Sequence, residues 1–538
     1  MMQMMDIRVD KDNGSTLKKE TELFGDVFGF FDGTQKLSKQ ETIQHIEEIK
    51  EIGELAEFLR FTIGSFYVTR KHGDDIHVLC SPACQGFYYL QKENELLLSD
   101  DQKRLYRDCE LKDVDVESVI VYVYNGNIFE RPFRTLFTSV KRMPPGTVTT
   151  ISRGFQLTYE FYLKKPMVKT GNEYTMFTQG YDTIFEVICE QEKNLQLALS
   201  GGIDSVLLLL AFRNAKIHPV IQVSETQTRE TATAELLAEY FCETAYAELK
   251  RIEKPPDKKI TDELFRKMLC SSSFTLYPFM DSSVKYVLSG DYMDRAYGSY
   301  HTSSQSEFFR ATHPVLNLCG YQIRNQLPYI TMLLKLRYKY NPGYLSKLYL
   351  TSKKIGDMIS EDTSVFFSRD TLGSWKRRYL NHLLQLNLYL VDAKNRVLSD
   401  YSKHLPITIV QPAINGLLLD WALQHTRTMK DALSYKYLTF RYMKERIGVS
   451  YDDIVKKVIH KNKTFLDGLP TQKSIKPVKR DVPLDVVKEV FFKDKVHINH
   501  KMLDDVYQKL TQDTIVPTDF GKLERIVNIQ LYLEDLFQ

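Results

Sequence analysis

One segment, Leu195 to Leu210, LQLALSGGIDSVLLLL, constrains this chain more than any other. It sets Ser200-Gly201-Gly202-Ile203-Asp204-Ser205 between an apolar run of strand character and an apolar run of helical character. A strand that turns through Ser-Gly-Gly into a helix is built for an anion. The glycines let consecutive backbone N–H groups face a phosphate with no Cβ in the way, and the helix adds its positive N-terminal end. Leu199 closes the strand. Ser200 and Ser205 add hydroxyl donors, and Asp204 can hold Mg²⁺ against the phosphates. The loop is not a Walker A motif, because the Gly-Lys-[Ser/Thr] ending is missing. The competing reading is a Gly-Gly strand-to-helix turn in an unrelated α/β protein.

At 538 residues the chain is too long for one ordinary core. Around the loop, strand and helix patterns alternate: LQLAL, a helix from Ser205, HPVIQV, a helix through ETATAELLAEYF, then KYVLSG. That alternation predicts a parallel α/β sheet. From about 24 to 160 the pattern is short apolar stretches broken by turn residues (VFGFFD, FTIGSFYV, IHVLC, GFYYL, ELLLS, TVTTI), which read as strands, with one helical stretch near 40–58. The basic stretch 163–175 reads as the linker out of this β-rich region. From about 320 to 538 the sequence is mostly helical, without internal repeats, and is expected to pack on the α/β core. The expected fold class is therefore multidomain α/β.

The motif SGGxDS resembles the PP-loop of ATP pyrophosphatases, which cleave ATP between the α and β phosphates and leave an adenylated substrate. Across most of the first 470 residues the chain is similar to class B asparagine synthetases. Val223 stands at the end of the second strand, where the family holds adenine, and Glu230 follows where the family has an acid before a helix. Ser289-Gly290-Asp291-Tyr292-Met293-Asp294 resembles the family's SGEGADE segment. The resemblance implies that Ser289 and Gly290 line the nucleotide, and that Asp294 is a second metal-holding carboxylate opposite Asp204. Asp291 departs from the family's Glu and is the candidate base for the amine, with Glu307 a weaker one. An ordinary helix N-cap is the competing reading for Asp294. KNKTFLDG at 461–468 resembles the family's RxKxxFxDG, which makes Lys463 the catalytic cation, or Lys461 in its place, against the alternative of a solvated basic stretch. Lys436 and Arg441 resemble the family's KxxxR element with altered spacing.

GDVFGFFDG at 25–33 resembles the CGIxGxxD start of the glutamine-dependent members, and later segments follow the same scaffold in order. The nucleophilic cysteine's position is Gly25, and the first cysteine is Cys80. An N-terminal nucleophile uses its own α-amine as base, so glutaminase activity is not expected. Cys80 and Cys84 replace the family's RDPLG turn and are expected to be buried structural thiols. The resemblance implies a degenerate Ntn-like β-sandwich domain over 1–165, a PP-loop (adenine nucleotide α-hydrolase-like) parallel α/β domain over 175–475, and a helical extension over 476–538. Loss of the ammonia source with retention of the loop is the pattern of the lasso-peptide cyclase and β-lactam synthetase branch. There the substrate supplies the amine and the product is a lactam.

The expected activity is thus ATP- and Mg²⁺-dependent amide formation on a peptide or small carboxylate/amine substrate, with a precursor peptide and its leader peptidase or delivery protein as implied partners. Rival readings are an ammonia-dependent asparagine synthetase, a tRNA- or sulfur-directed PP-loop enzyme, and a nonenzymatic remnant of the fold. The 72 basic against 69 acidic residues leave +3, too little to imply a nucleic-acid surface. The seven cysteines form no CxxC pair and read as reduced thiols. The start MMQMMDIRVD has no apolar signal region, and no run approaches the roughly 20 residues of a membrane span, so a cytoplasmic protein is expected.

Overall fold

The computed structural model describes residues 6–10, 14–15, 17, 19–84, 87–115, 118–119, 134–143, 145–152, 154–162, 173–211, 217–223, 227–252, 284–290, 408–418 and 437–471, with 525, 529, 532–533 and 536–537 near the end. The first part runs β1 (Asp6–Asp10), β2 (Gly14–Ser15), β3 (Thr21–Phe31), β4 (Lys36–Leu37), α1 (Lys39–Glu48), α2 (Ile52–Phe61), β5 (Thr62–His72), β6 (Asp75–Cys80), β7 (Phe87–Gln91), β8 (Glu95–Ser99), α3 (Gln102–Arg107), β9 (Val140–Met143), β10 (Thr147–Ile151) and β11 (Leu157–Phe161). These strands make two antiparallel sheets, ordered β2-β1-β8-β7-β9 and β11-β10-β6-β5-β3-β4.

The inner faces of the two sheets share one core, in which Ile7, Phe87, Leu96 and Leu98 meet Tyr67, Ile76, Val78 and Ile151. On the other face of the six-stranded sheet, Ile46 of α1 and Leu55 and Leu59 of α2 pack on Val27, Phe66 and Val68. The alternation of buried side chains between two faces is what period-two strands deliver when both faces are covered. The single helical stretch expected near 40–58 is two helices. α1 opens on a Ser38/Glu41 capping box and stops at Ile49, whose backbone turns extended. The buried guanidinium of Arg70 explains the stop, because it takes the carbonyls of Ile46 (2.8 Å), Ile49 and Lys50 (3.3 Å) at the helix end.

The second part runs α4 (Glu173–Gln191), β12 (Leu195–Ala198), α5 (Ile203–Ala211), β13 (Ile217–Gln222), α6 (Arg229–Ala245), β14 (Lys250–Ile252), β15 (Tyr286–Leu288), β16 (Thr408–Val410), α7 (Tyr437–Ile447), α8 (Tyr451–Lys461) and α9 (Lys463–Asp467). All neighbours in its sheet are parallel, in the order β14-β13-β12-β15-β16. The protein is therefore a mixed α/β molecule with two antiparallel sheets and one parallel sheet. Val206 to Leu210 on α5 and Leu195, Leu197 and Leu288 on the strands are all almost inaccessible, as the apolar runs on both sides of the glycine loop require. Counting from β12, the strand order is 3-2-1-4-5, so the chain winds outward on one side and then reverses across β12. Helices α7 to α9 lie on this layer, with Tyr442, Met443, Ile454 and Val458 in its core. The described residues near the C-terminus instead touch the sandwich. Lys103 Nζ sits 5.0 Å from the Tyr532 ring, and Phe537 meets Phe137 at 6.0 Å.

A buried carboxylate joins the two parts. Asp26 on β3 is 6% exposed and accepts from Lys285 Nζ (2.7 Å), Tyr286 OH (2.8 Å) and Thr408 Oγ1 (3.1 Å), at the amino ends of β15 and β16. A bulge between Val27 and Gly29 displaces Phe28, whose ring meets Tyr286 edge-on at 5.1 Å. Burial alone would lower the Lys285 ammonium, but its bonds to Asp26 and Tyr286 outweigh this and raise it above its ordinary value. Burial, with the neighbouring Asp26 charge, pushes the Tyr286 hydroxyl up to about 12.

Asp26→Ala leaves three donors at the joint without their acceptor, and is expected to lower stability by about 1–3 kcal/mol. Asp26→Asn should lose less. Because the folded Lys285 value is raised, its part of this stabilisation is complete below about pH 10 and fades only as the pH rises past the raised value. Thermal unfolding of both variants between pH 6 and pH 9 tests this; equal midpoints for wild type and Asp26→Ala would refute the interlock.

Candidate functional site

The strand order reverses between β12 and β15, and in open α/β sheets the carboxyl ends at such a reversal are where the ligand crevice lies. The Ser-Gly-Gly loop leaves β12 at this point. Leu199 extends the ladder by one bond, N–H to Val220 O at 2.9 Å, and the chain then turns into α5. Gly201 has φ +70°, and a Cβ there would lie 2.2 Å from Ala234 O on α6. Only glycine satisfies both demands. From the neighbouring strand, Ser289 donates its N–H to Val410 O at 3.0 Å, and Gly290 then passes over the first turn of α5. A Cβ on Gly290 would sit 2.9 Å from Asp204 C and 3.0 Å from Ser205 N.

The loop's own hydroxyls organise its donors. Ser200 N–H donates to Ser205 Oγ (3.1 Å), Ser205 Oγ donates to Gly202 O (2.9 Å), and Gly202 N–H donates to Ser200 Oγ at a long 3.3 Å. Ser200 and Gly202 are exposed while Ser205 is buried, so one hydroxyl frames the loop and the other faces solvent. Asp204 is half-buried on the first turn of α5. Tyr451, the first residue of α8, donates its hydroxyl to Gly201 O at 3.2 Å. Nothing in the motif pointed to that residue; the only local signal was the Ser450/Asp453 cap that starts α8.

The structure brings Leu199, Ser200, Gly201, Gly202, Asp204, Ser205, Ser289 and Gly290 together at this crevice. Val223, half-buried at the end of β13, bonds to Ile252 O at 2.9 Å and so lies at the same sheet edge. Glu230 is exposed in the first turn of α6. Lys463 is exposed at the start of α9, and Lys461 is exposed in the last turn of α8. α9 is tied to the start of α6 by the Arg229–Asp467 pair (3.3 Å) and by Arg229 N–H to Pro470 O (3.0 Å), which holds it on the crevice side of the sheet. Arg441 is committed elsewhere: it pairs with Glu445 (3.1 Å) and stacks 3.7 Å over Tyr174, on the seam between α7 and α4. Asp291, Asp294, Glu307 and Lys436 lie outside the described residues.

The donor set around the loop is all oxygen, which suits a hard cation such as Mg²⁺ that keeps water and phosphate among its ligands. Among the described residues, no cluster of three or more His, Cys, Asp or Glu side chains forms a metal cage. Asp204 could serve as one protein ligand of such an ion.

In the first part, Gly25 stands inside β3 with ladder partners on both sides, Phe24 against Tyr67 and Asp26 against Ser65. Its nitrogen is a peptide nitrogen, and a Cβ at this position would lie 2.4 Å from Ser65 O. Cys80 and Cys84 are fully buried and free of disulfides. The bond to Cys84, reinforced by burial, pushes the Cys80 thiol well above its ordinary range, the opposite of a reactive thiolate. A small cleft runs along β16, between Phe28, Ile63 and Ser65 on one part and Ile188, Val410 and Gln411 on the other. It is separate from the glycine loop.

No protein-family model matches the chain, and no curated protein matches it. Among solved structures 21 chains match. One is the glutamine phosphoribosylpyrophosphate (PRPP) amidotransferase from B. subtilis complexed with ADP and GMP, 8% identical, with a TM-score of 0.16. The similarity covers 48% of this chain and 64% of that one, so this chain spans less than two thirds of its length. Among the described residues, no helix is long and apolar enough to cross a membrane.

Gly73 and Gly201 separate two costs of substitution. Both have positive φ, but a Cβ on Gly73 meets nothing within 4 Å. Gly73→Ala should show only the left-handed penalty of about 1–2 kcal/mol, whereas Gly201→Ala adds a collision with the Ala234 backbone. Thermal unfolding should therefore rank Gly201→Ala clearly below Gly73→Ala, and the reverse order would contradict the close approach of loop and α6.

Proposed function

We propose that this protein uses ATP to join a carboxylate to an amine, adenylating the carboxylate and releasing pyrophosphate. The observation that carries the reading is the Ser200–Ser205 loop at the reversal point of a parallel sheet, with Gly290 packed backbone to backbone on its helix. The triphosphate would lie on the loop, with adenine toward Val223. A substrate carboxylate oxygen attacks the α-phosphorus, the bond to the β-phosphate oxygen breaks, and pyrophosphate leaves. The amine then attacks the acyl carbon, AMP departs, and the ammonium proton passes to a base, for which Asp291 is our candidate. Mg²⁺, held by Asp204 and in our reading by Asp294, would neutralise charge on the departing pyrophosphate. Lys463 is the cation we assign to the tetrahedral intermediate, reaching over from α9.

The geometry of β3 supports one reading of the amine's source. A strand that continues through Gly25 leaves no terminal amine to serve as base, and no side chain to act as nucleophile, so ammonia from glutamine is not the supply we infer. We assign the amine to the substrate itself and the product to a lactam, made from a peptide precursor brought by a delivery protein or leader peptidase. This is the lasso-peptide cyclase and β-lactam synthetase branch of the asparagine synthetase-like enzymes.

Pyrophosphate release from MgATP, measured for wild type and Asp204→Ala, is the test. With a peptide precursor present, wild type should release pyrophosphate and yield a product lighter by one water, and Asp204→Ala should be slower by about a hundredfold or more. Release with aspartate and ammonium instead would make the enzyme an asparagine synthetase. Orthophosphate release alone would sink the assignment of α,β-cleavage.

A further inference from the structure

We infer that Tyr451 is a positioning residue for the phosphate loop, fixing the Gly201–Gly202 peptide so that the Gly202 N–H is presented to the ligand. The inference rests on the phosphate-binding reading above and adds a residue from a helix 250 positions away. A peptide between two glycines is the easiest kind to flip, since neither flanking residue has a Cβ to resist the change in ψ and φ. In one orientation it offers an N–H to a phosphate oxygen. In the other it offers a carbonyl oxygen, which repels the same group. The Ser200 hydroxyl favours the first orientation only through a long bond to Gly202 N–H, which leaves a role for a partner outside the loop.

Tyr451 OH donates to Gly201 O at 3.2 Å. The described peptides are all trans, so the carbonyl and the N–H of this unit point in opposite directions. Holding Gly201 O toward α8 therefore holds Gly202 N–H away from it. That N–H rests at 3.3 Å from Ser200 Oγ, a long bond that a phosphate oxygen can replace with a shorter, charge-assisted one.

The hydroxyl is itself held in place. The Tyr451 ring stacks on Phe241 of α6 at 5.8 Å with planes 8° apart, and tilts against Phe440 of α7 at 5.8 Å. Ser450 Oγ, accepting from Asp453 N–H at 3.2 Å, fixes where α8 begins. Two helices and a cap thus aim one O–H at one carbonyl.

Tyr451→Phe keeps the ring and deletes the hydroxyl. Calorimetry with MgATP, magnesium pyrophosphate and adenosine should show the variant binding both phosphate ligands about five- to tenfold more weakly, with adenosine affinity unchanged. In pyrophosphate release, KM for ATP should rise by a similar factor while kcat changes less, and the thermal midpoint should stay near that of wild type. Equal phosphate affinity in wild type and variant would overturn the positioning role alone. A parallel loss of adenosine affinity and of thermal midpoint would overturn it too, in favour of a packing role. If wild type binds neither ATP nor pyrophosphate, the phosphate-site reading itself fails and this inference with it.

Discussion

The candidate site depends on backbone meeting backbone without side chains between. Gly201 abuts Ala234 O on α6, and Gly290 abuts the Asp204–Ser205 peptide on α5. These contacts bring two strand ends and two helices to a single crevice. Parallel pairing of β12 with β13 and β15 puts all three carboxyl ends on the same side, and the strand order reverses between β12 and β15. Replace either glycine by any L-residue, and α5 or α6 has to move before the loop can keep its shape.

The opposite end of the same sheet is held by charge. Asp26 grips the first residues of β15 and β16, and β15 is only three residues long, so the joint and the crevice are separated by the length of one short strand. A buried carboxylate without partners would be costly; with three donors it becomes a specific joint between sandwich and parallel sheet.

What was legible in the sequence is what neighbouring residues encode. The strand–loop–helix of 195–211, the strands at 217–222 and 286–288, and the helix at 229–245 follow from apolar runs and glycine placement within a few residues. The illegible parts have distant partners. Arg70 splits the helical stretch at Ile49 from a strand that follows it, Lys285 meets Asp26 across 259 positions, and Tyr451 reaches Gly201 across 250. None of these leaves a periodic trace. The strand at Asp6–Asp10, which pairs along β8, differs: its apolar Ile7 and Val9 alternate with charged residues, but the run is too short to stand out until its partner is known. The terminal Tyr532 and Phe537 belong with these, touching the sandwich, whereas α7 to α9 pack on the α/β core as the helical end was expected to do.

Charge at the loop pulls in two directions. An acid in the first turn of a helix is favourable to the helix dipole, and Asp204 occupies that position on α5. The same carboxylate is unfavourable to a phosphate resting on the loop's N–H groups, and Ser200 to Ser205 contains no lysine or arginine to offset it. A net charge of +3 spread over 538 residues supplies no compensating field. A divalent cation between dipole and acid, as in the function proposed above, would turn the carboxylate from a repulsive group into a ligand. Under that proposal a metal-bound polyphosphate would suit the loop better than a bare anion. Its own hydroxyls hold the donors in readiness until that ligand arrives.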